Sequence, residues 1–175
     1  MILEHAKEAD YPAIINLVNA AYRGTGAVES WNIETGIIEG TRLTDSLLRQ
    51  DLATKPHAHF LIHRDPASGV IIGTVWLEPV NDDGAWYLGL FTIDPALQKQ
   101  HLGRGLLSAA EDFATAHGAK SIRMGVLSVR SALIAWYQRR GYQLTGETEP
   151  YPYGDNRFGT PLRDDLEFLI LTKQL

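Results

Sequence analysis

The stretch from Trp86 to Gly105, WYLGLFTIDPALQKQHLGRG, holds the residues whose order most directly suggests chemistry. An apolar run ends at Asp94-Pro95, and a polar, glycine-bearing segment then opens into a helical pattern from Leu102. Such a loop leaves backbone N–H groups without partners at the helix start, where the dipole favours an anion. Pyrophosphate suits that cradle; the plainer alternative is a Gly-x-Gly turn that only packs closely. A second set, His57, His59 and His63, recurs at alternate positions of a strand pattern. That spacing suits either a metal or a solvent-facing stripe, and the stripe is the expectation. The chain of 175 residues contains no cysteine, which excludes disulfides, thiolate zinc sites, iron–sulfur clusters and a cysteine nucleophile. No metal site is expected.

The elements that would position these residues follow from periodicity. Ile2 to His5 reads as a short strand. Asp10 and Pro12 open a helix carrying Ile14, Leu17, Val18, Ala21 and Tyr22 on one face, and Thr44 or Asp45 caps a second with Leu48 and Leu52. Between them, Gly24 to Arg42 loses periodicity and reads as a loop or broken helix. His57 to Arg64, Val70 to Glu78 and Trp86 to Ile93 are strands, with Asn81 to Gly84 as a turn. A helix from Leu102 to near Gly118, a strand from Ser121 to Val126 and a helix bearing Leu133, Trp136, Tyr137 and Arg140 follow, the last stopped by Gly141. Tyr142 to Thr148 and Leu166 to Lys173 are strands around a loop at 149–161. The order is βααβββαβαββ: an α/β (α+β) fold with a single mixed, mostly antiparallel sheet flanked by helices, in one domain over residues 1–175.

Composition sets the class. Hydrophobic residues at 45% and charged residues at 21% mark a globular chain rather than a disordered one. A net charge of −5 opposes nucleic-acid binding and weakly favours cationic partners such as amines. The first ten residues lack the apolar core of a signal peptide, and the apolar stretch at 69–77 is far short of the ~20 residues of a membrane span. A soluble, cytoplasmic protein with no membrane partner is expected.

The segment after the third long strand resembles the acetyl-CoA-binding motif of the GNAT N-acetyltransferase superfamily, Gln/Arg-x-x-Gly-x-Gly/Ala. Counted from Asp94-Pro95, Gln98, His101 and Gly103 fill the motif positions; counted by glycines, Gln100, Gly103 and Gly105 do. The first register is preferred, because the sheet and the helix start set the spacing. It puts His101 where the family has glycine, and histidine is among the residues that tolerate positive φ. A second signature, Tyr-x-x-x-Gly-aromatic, is matched by Tyr137-Gln138-Arg139-Arg140-Gly141-Tyr142. AYRGTGAVESWNIETGIIEGTR and WYQRRGYQLTGETEPYPYG look like a bacterial subgroup of the family.

The resemblance implies acetyl-CoA as cosubstrate, held by Ile93, Gln98, Lys99, Gln100, His101, Leu102, Gly103, Arg104 and Gly105. Tyr137 would protonate the departing thiolate. Arg130 stands where the family has asparagine seven residues earlier; it would contact a phosphate or pantetheine carbonyl, or be a solvated first-turn residue. The family often places a glutamate at the position of Tyr87, so the base is unassigned; Glu78, Glu29 and Glu34 are candidates. Removing a proton from an amine of pKa near 10.4 costs about 4–5 kcal/mol at pH 7. Tyr22, Trp31, Glu34 and Arg42 are expected to bind the acceptor, a small-molecule or peptide amine, from loops 24–42 and 149–161; a homodimer is admitted. Direct transfer from acetyl-CoA to an amine is the leading function, a non-catalytic acyl-CoA-binding module the rival. A Rossmann enzyme fits poorly, since Gly103-x-Gly105 sits mid-chain without the strand–helix alternation.

Overall fold

The computed structural model describes residues 1–28, 30–31, 33–80, 83–98 and 101–175. In chain order they form β1 (Glu4–His5), α1 (Tyr11–Arg23), β2 (Ile38–Glu39), α2 (Asp45–Thr54), β3 (His59–Arg64), β4 (Ile71–Pro79), β5 (Ala85–Ile93), α3 (Leu102–Ala116), β6 (Ser121–Leu127), α4 (Ser131–Gln138), β7 (Gln143–Pro150), β8 (Thr160–Pro161) and β9 (Glu167–Gln174). Without the two-residue strands β2 and β8, the order is the one expected. The main sheet runs β1-β3-β4-β5-β6-β9-β7. Its neighbours are antiparallel except β5 and β6, which α3 connects as a crossover.

Successive strand residues point to opposite faces, and both faces are covered. Phe60 and Ile62 pack with Ile14, Val18 and Leu48 of α1 and α2. Leu61 packs with Leu106, Ala110 and Ile134 of α3 and α4. This corrects the solvent-facing histidine stripe. His57 precedes β3; His63 is only 8% exposed, with Nδ1 at 2.9 Å from the Ile2 carbonyl; and His59 stacks on Trp86 while one hydrogen bond of 3.0 Å joins it to His5. A strand covered on both faces has no wet side for alternation to mark. Among the described residues no group of three His, Cys, Asp or Glu side chains is arranged to hold a metal, and no helix is long and apolar enough to cross a membrane.

The helix ends follow their local chemistry. The Leu47 N–H donates to Thr44 Oγ1 at 3.2 Å, so Thr44 caps α2. Asp10 precedes α1 but caps it with no side-chain bond; its carboxylate is taken by Arg64 and the Lys7 N–H instead. Residues 81 and 82 of the expected turn lie outside the described residues; on either side of them Val80 N–H donates to the Ala85 carbonyl at 2.9 Å.

The two long loops contain a feature the periodicity did not show. Ile38 pairs with Pro161 and Glu39 with Thr160, so β2 and β8 join as an antiparallel ribbon. The ribbon needs Gly159: its φ is +102°, and any Cβ there would collide with the Glu39 carbonyl. Gly159→Ala should cost about 1–3 kcal/mol, read by urea denaturation, with amide exchange at residues 38–39 and 160–161 accelerating first.

A pH dependence follows from His59. Burial, reinforced by nearby His5 and His117, lowers its pKa below 6.5. The unfolded chain then binds the proton more readily than the folded one, so His59 opposes folding only as pH falls below 6.5 towards its folded pKa. His59→Gln should flatten the loss of thermal stability between pH 7 and pH 5 that wild type shows by calorimetry.

Candidate active site

The site begins where the parallel strands part. β5 and β6 pair only at Ala85–Ser121, Trp86–Ile122 and Tyr87–Arg123, and beyond Tyr87 no further pairs link them. On its other side β5 carries a bulge: the register with β4 shifts between Thr74 and Trp76, and Leu90 takes φ +43°. The Leu90 carbonyl accepts from Thr74 Oγ1 at 2.8 Å, and the Phe91 carbonyl accepts from the Tyr22 hydroxyl at 3.2 Å. Two cavities open beside this stretch, and both are lined by Tyr22, Phe91, Leu133 and Tyr137.

Tyr137 therefore stands on their common wall. It lies in α4, is 5% exposed, and packs edge-on against Phe91, Trp136 and Tyr142. Its hydroxyl donates to no group among the described residues. Burial raises its pKa, with Tyr22 and Tyr87 adding to the rise, so it holds its proton at neutral pH.

The first cavity is further lined by Ile93, Gln98, Gly103, Arg104, Trp31, Trp136 and Arg140. At its polar end α3 starts. His101 is the residue before the helix and takes φ +61°, the left-handed conformation glycine would supply. The N–H groups of His101, Leu102 and Gly103 donate to nothing among the described residues, which leaves an amide set at a helix N-terminus. Gly103 approaches the Trp136 ring, while Gly105 faces Met1 and does not line the cavity. Lys99 and Gln100 lie outside the described residues.

Gln98 lines this cavity, and its side chain has partners within the chain. Its amide donates to Ser30 Oγ and its Oε1 accepts from the Trp31 N–H, both at 3.0 Å. It thus fastens the 24–42 loop across the cavity, and the 48%-exposed Trp31 ring sits 6.5 Å from that of Trp136. Arg140 lies over that indole, 3.5 Å from its centroid, and donates to the Trp136 carbonyl at 2.6 Å. Amides and cations at one end and an apolar, aromatic floor ending at a phenol fit a phosphorylated donor with a long arm.

The second cavity, about 370 Å³, takes in Arg23, Glu34, Arg42, Glu78, Tyr87, Arg130, Tyr151 and Phe158. Here three expectations are corrected. Arg130 is not the solvated first-turn residue of the second alternative: its side chain is 9% exposed and reaches Glu34 Oε1 at 3.4 Å. Glu34 is not an unpaired carboxylate, because Arg23 also pairs with it at close range. Glu78 accepts from Lys55 Nζ and Trp76 Nε1, both at 2.8 Å. Glu29, the third base candidate, lies outside the described residues. Tyr87 lines this cavity, and burial raises its pKa.

Comparison with known proteins fits this geometry. The model of the acetyltransferase (GNAT) family matches residues 11–142. The chain belongs to the GNAT acetyltransferase family. Solved structures share the fold across essentially the whole chain. A ribosomal-protein-alanine N-acetyltransferase from Brucella melitensis is similar at TM-score 0.70 and 20% identity, with 100% of each chain covered. A putative acetyltransferase from Salmonella typhimurium, solved with its cofactor acetyl-CoA, is similar at 0.68 and 23%, covering 100% of this chain and 94% of that one. A GNAT family acetyltransferase from Elizabethkingia anophelis with acetyl-CoA bound gives 0.65 and 16%, covering 99% and 97%. No curated protein matches the chain.

In this GNAT chain the residues missed by sequence reasoning are aromatic or distant partners. Phe91, Trp136, Tyr151 and Phe158 line the cavities, and Arg23 neutralises Glu34. Only Trp136, inside the aromatic helix signature, carried a signal. Gln98→Ala should release Trp31 from Trp136, giving a red-shifted tryptophan emission and faster proteolysis within 24–42. Global stability should change by no more than about 1–2 kcal/mol.

Proposed function

We propose that the chain is an acetyl-CoA-dependent N-acetyltransferase that passes an acetyl group directly to a primary amine of a small molecule or peptide. The observation that carries this reading is the position of Tyr137, a buried, protonated phenol on the wall shared by two cavities. Acetyl-CoA, when bound, supplies an acyl group activated by a thiol leaving group. The amides at the start of α3, which have no partner among the described residues, suit its phosphates together with Arg104 and Arg140, and the cavity lined by Phe91, Leu133 and Trp136 suits its arm.

The amine enters from the second cavity and forms the N–C bond as the C–S bond breaks. Tyr137 Oη delivers its proton to the departing sulfur, the nitrogen's surplus proton leaves through the cavity to water, and the phenolate takes a proton back from that water to restore the acid. With no cysteine in the chain, no acyl group is parked on a protein thiol, so both substrates occupy the site together. One observation favours the rival, a non-catalytic acyl-CoA-binding module: Glu34 and Glu78 are held in ion pairs rather than poised as bases.

Release of free thiol from acetyl-CoA across a panel of amines separates the two. Tyr137→Phe should lower kcat by roughly 10²-fold or more while acetyl-CoA affinity, read by calorimetry, stays close to wild type. Unchanged kcat removes Tyr137 from the acid role, and CoA binding with no thiol release from any amine sinks the enzyme reading.

A further inference from the structure

The second cavity contains a cation without a counter-charge. Arg42 pairs with no carboxylate among the described residues; its guanidinium lies over the rings of Tyr22 and Phe158, 5.4 and 4.9 Å from their centroids. The backbone beneath it is fixed. Buried Asn19 accepts from the Arg42 and Leu43 N–H groups at 2.8 and 3.2 Å and donates to the Leu43 carbonyl at 2.8 Å. Arg42 is therefore held in place rather than trailing in solvent, between two aromatic rings that take none of its N–H donors.

Two more donors in the same wall are unused. The Tyr151 hydroxyl is buried without a partner, in a residue 3% exposed, and Arg23 Nε is buried and unpaired among the described residues. Tyr151 lines the same cavity as Arg23, Glu34 and Arg42. Buried donors are nearly always satisfied, so two unsatisfied ones on cavity-lining residues, beside a guanidinium that pairs with no carboxylate, mark a place for an acceptor atom. The other charges there are engaged: Glu78 with Lys55, and Arg123 with Glu147 and Glu149.

We infer that Arg42 and Tyr151 form a carboxylate subsite, and that the acceptor is a small amine bearing a carboxylate, of the amino-acid class. This rests on the acetyltransferase reading above and narrows its acceptor. Distance supports a small molecule. Tyr22 donates to the Phe91 carbonyl beside Tyr137 while its ring lies under Arg42, so one phenol ring spans the gap between the reacting end and the guanidinium. The planar fork of arginine matches a carboxylate with two parallel bonds. The acidic net charge of the chain does not extend to this wall.

The test is calorimetric titration of the CoA-saturated protein with the common L-amino acids, each beside the amine lacking its carboxylate, such as L-phenylalanine beside phenethylamine. At least one acid should bind more tightly than its decarboxylated partner, and Arg42→Met should weaken that acid roughly 10–100-fold. Tyr151→Phe keeps the core ring and removes an unpaired hydroxyl; it should retain the wild-type melting temperature and bind the acid roughly 3–10-fold more weakly. Failure of every acid to bind, equal binding of acid and matched amine, or full affinity in Arg42→Met overturns the subsite. Thiol release with acetyl-CoA is read in parallel. An acid that binds through Arg42 without thiol release upholds the subsite and sinks the enzyme reading. Thiol release on amines regardless of a carboxylate does the reverse.

Discussion

The three-residue pairing of β5 with β6 is the constraint from which the rest of the site follows. Parallel strands joined by a helical crossover ordinarily stay hydrogen-bonded along their length, and here the bonding stops at Tyr87–Arg123. Past that point β5 carries a bulge and satisfies its carbonyls with side chains: Thr74 on Leu90, Tyr22 on Phe91. The sheet can part without orphaning backbone groups because α1 and β4 supply these hydroxyls. Beside that stretch Trp136 and Tyr137 of α4 pack on Phe91 of β5, and Tyr137 stands on the wall between the two cavities.

A second dependence is electrostatic. Glu34 sits between Arg23 at the end of α1 and Arg130 at the start of α4, all three nearly buried. Its N–H also donates to the Tyr22 carbonyl at 2.9 Å, and Arg23 donates to the Phe158 carbonyl at 2.5 Å. One carboxylate thus fastens a long loop to two helices, while Arg23 continues the chain of bonds to the 151–166 segment. The β2–β8 ribbon pairs the same two loops, and Ile38 of β2 lines the second cavity. Buried ion pairs of this kind contribute little net stability compared with apolar packing, but they specify one arrangement of the elements they join.

Part of this was legible from spacing and part from the family resemblance. His101 takes the positive φ of the glycine that the resemblance puts at its position, and the α3 start follows at Leu102. Gly141 takes φ +91° after the aromatic helix, where periodicity put its stop. Glu34 and Arg130 were both marked as functional, yet neither their pairing nor Arg23's part in it could be read, since 96 positions separate the two and no periodicity spans such a distance. Gln98 carries the right residue type for a cofactor loop, and its side chain bonds Ser30 and Trp31.

Local order along the chain dictated the long strands, the helices, the Thr44 cap and the amide-rich start of α3, because each rests on side-chain period and backbone preference over a few residues. It also confined the chemistry to oxygen and nitrogen groups by omitting cysteine altogether. The wet or dry state of the β3 histidines, the neutralised carboxylates and the uncompensated Arg42 depend on what packs against them from remote segments. Burial and charge pairing are properties of neighbours in space, and the fold alone selects those neighbours.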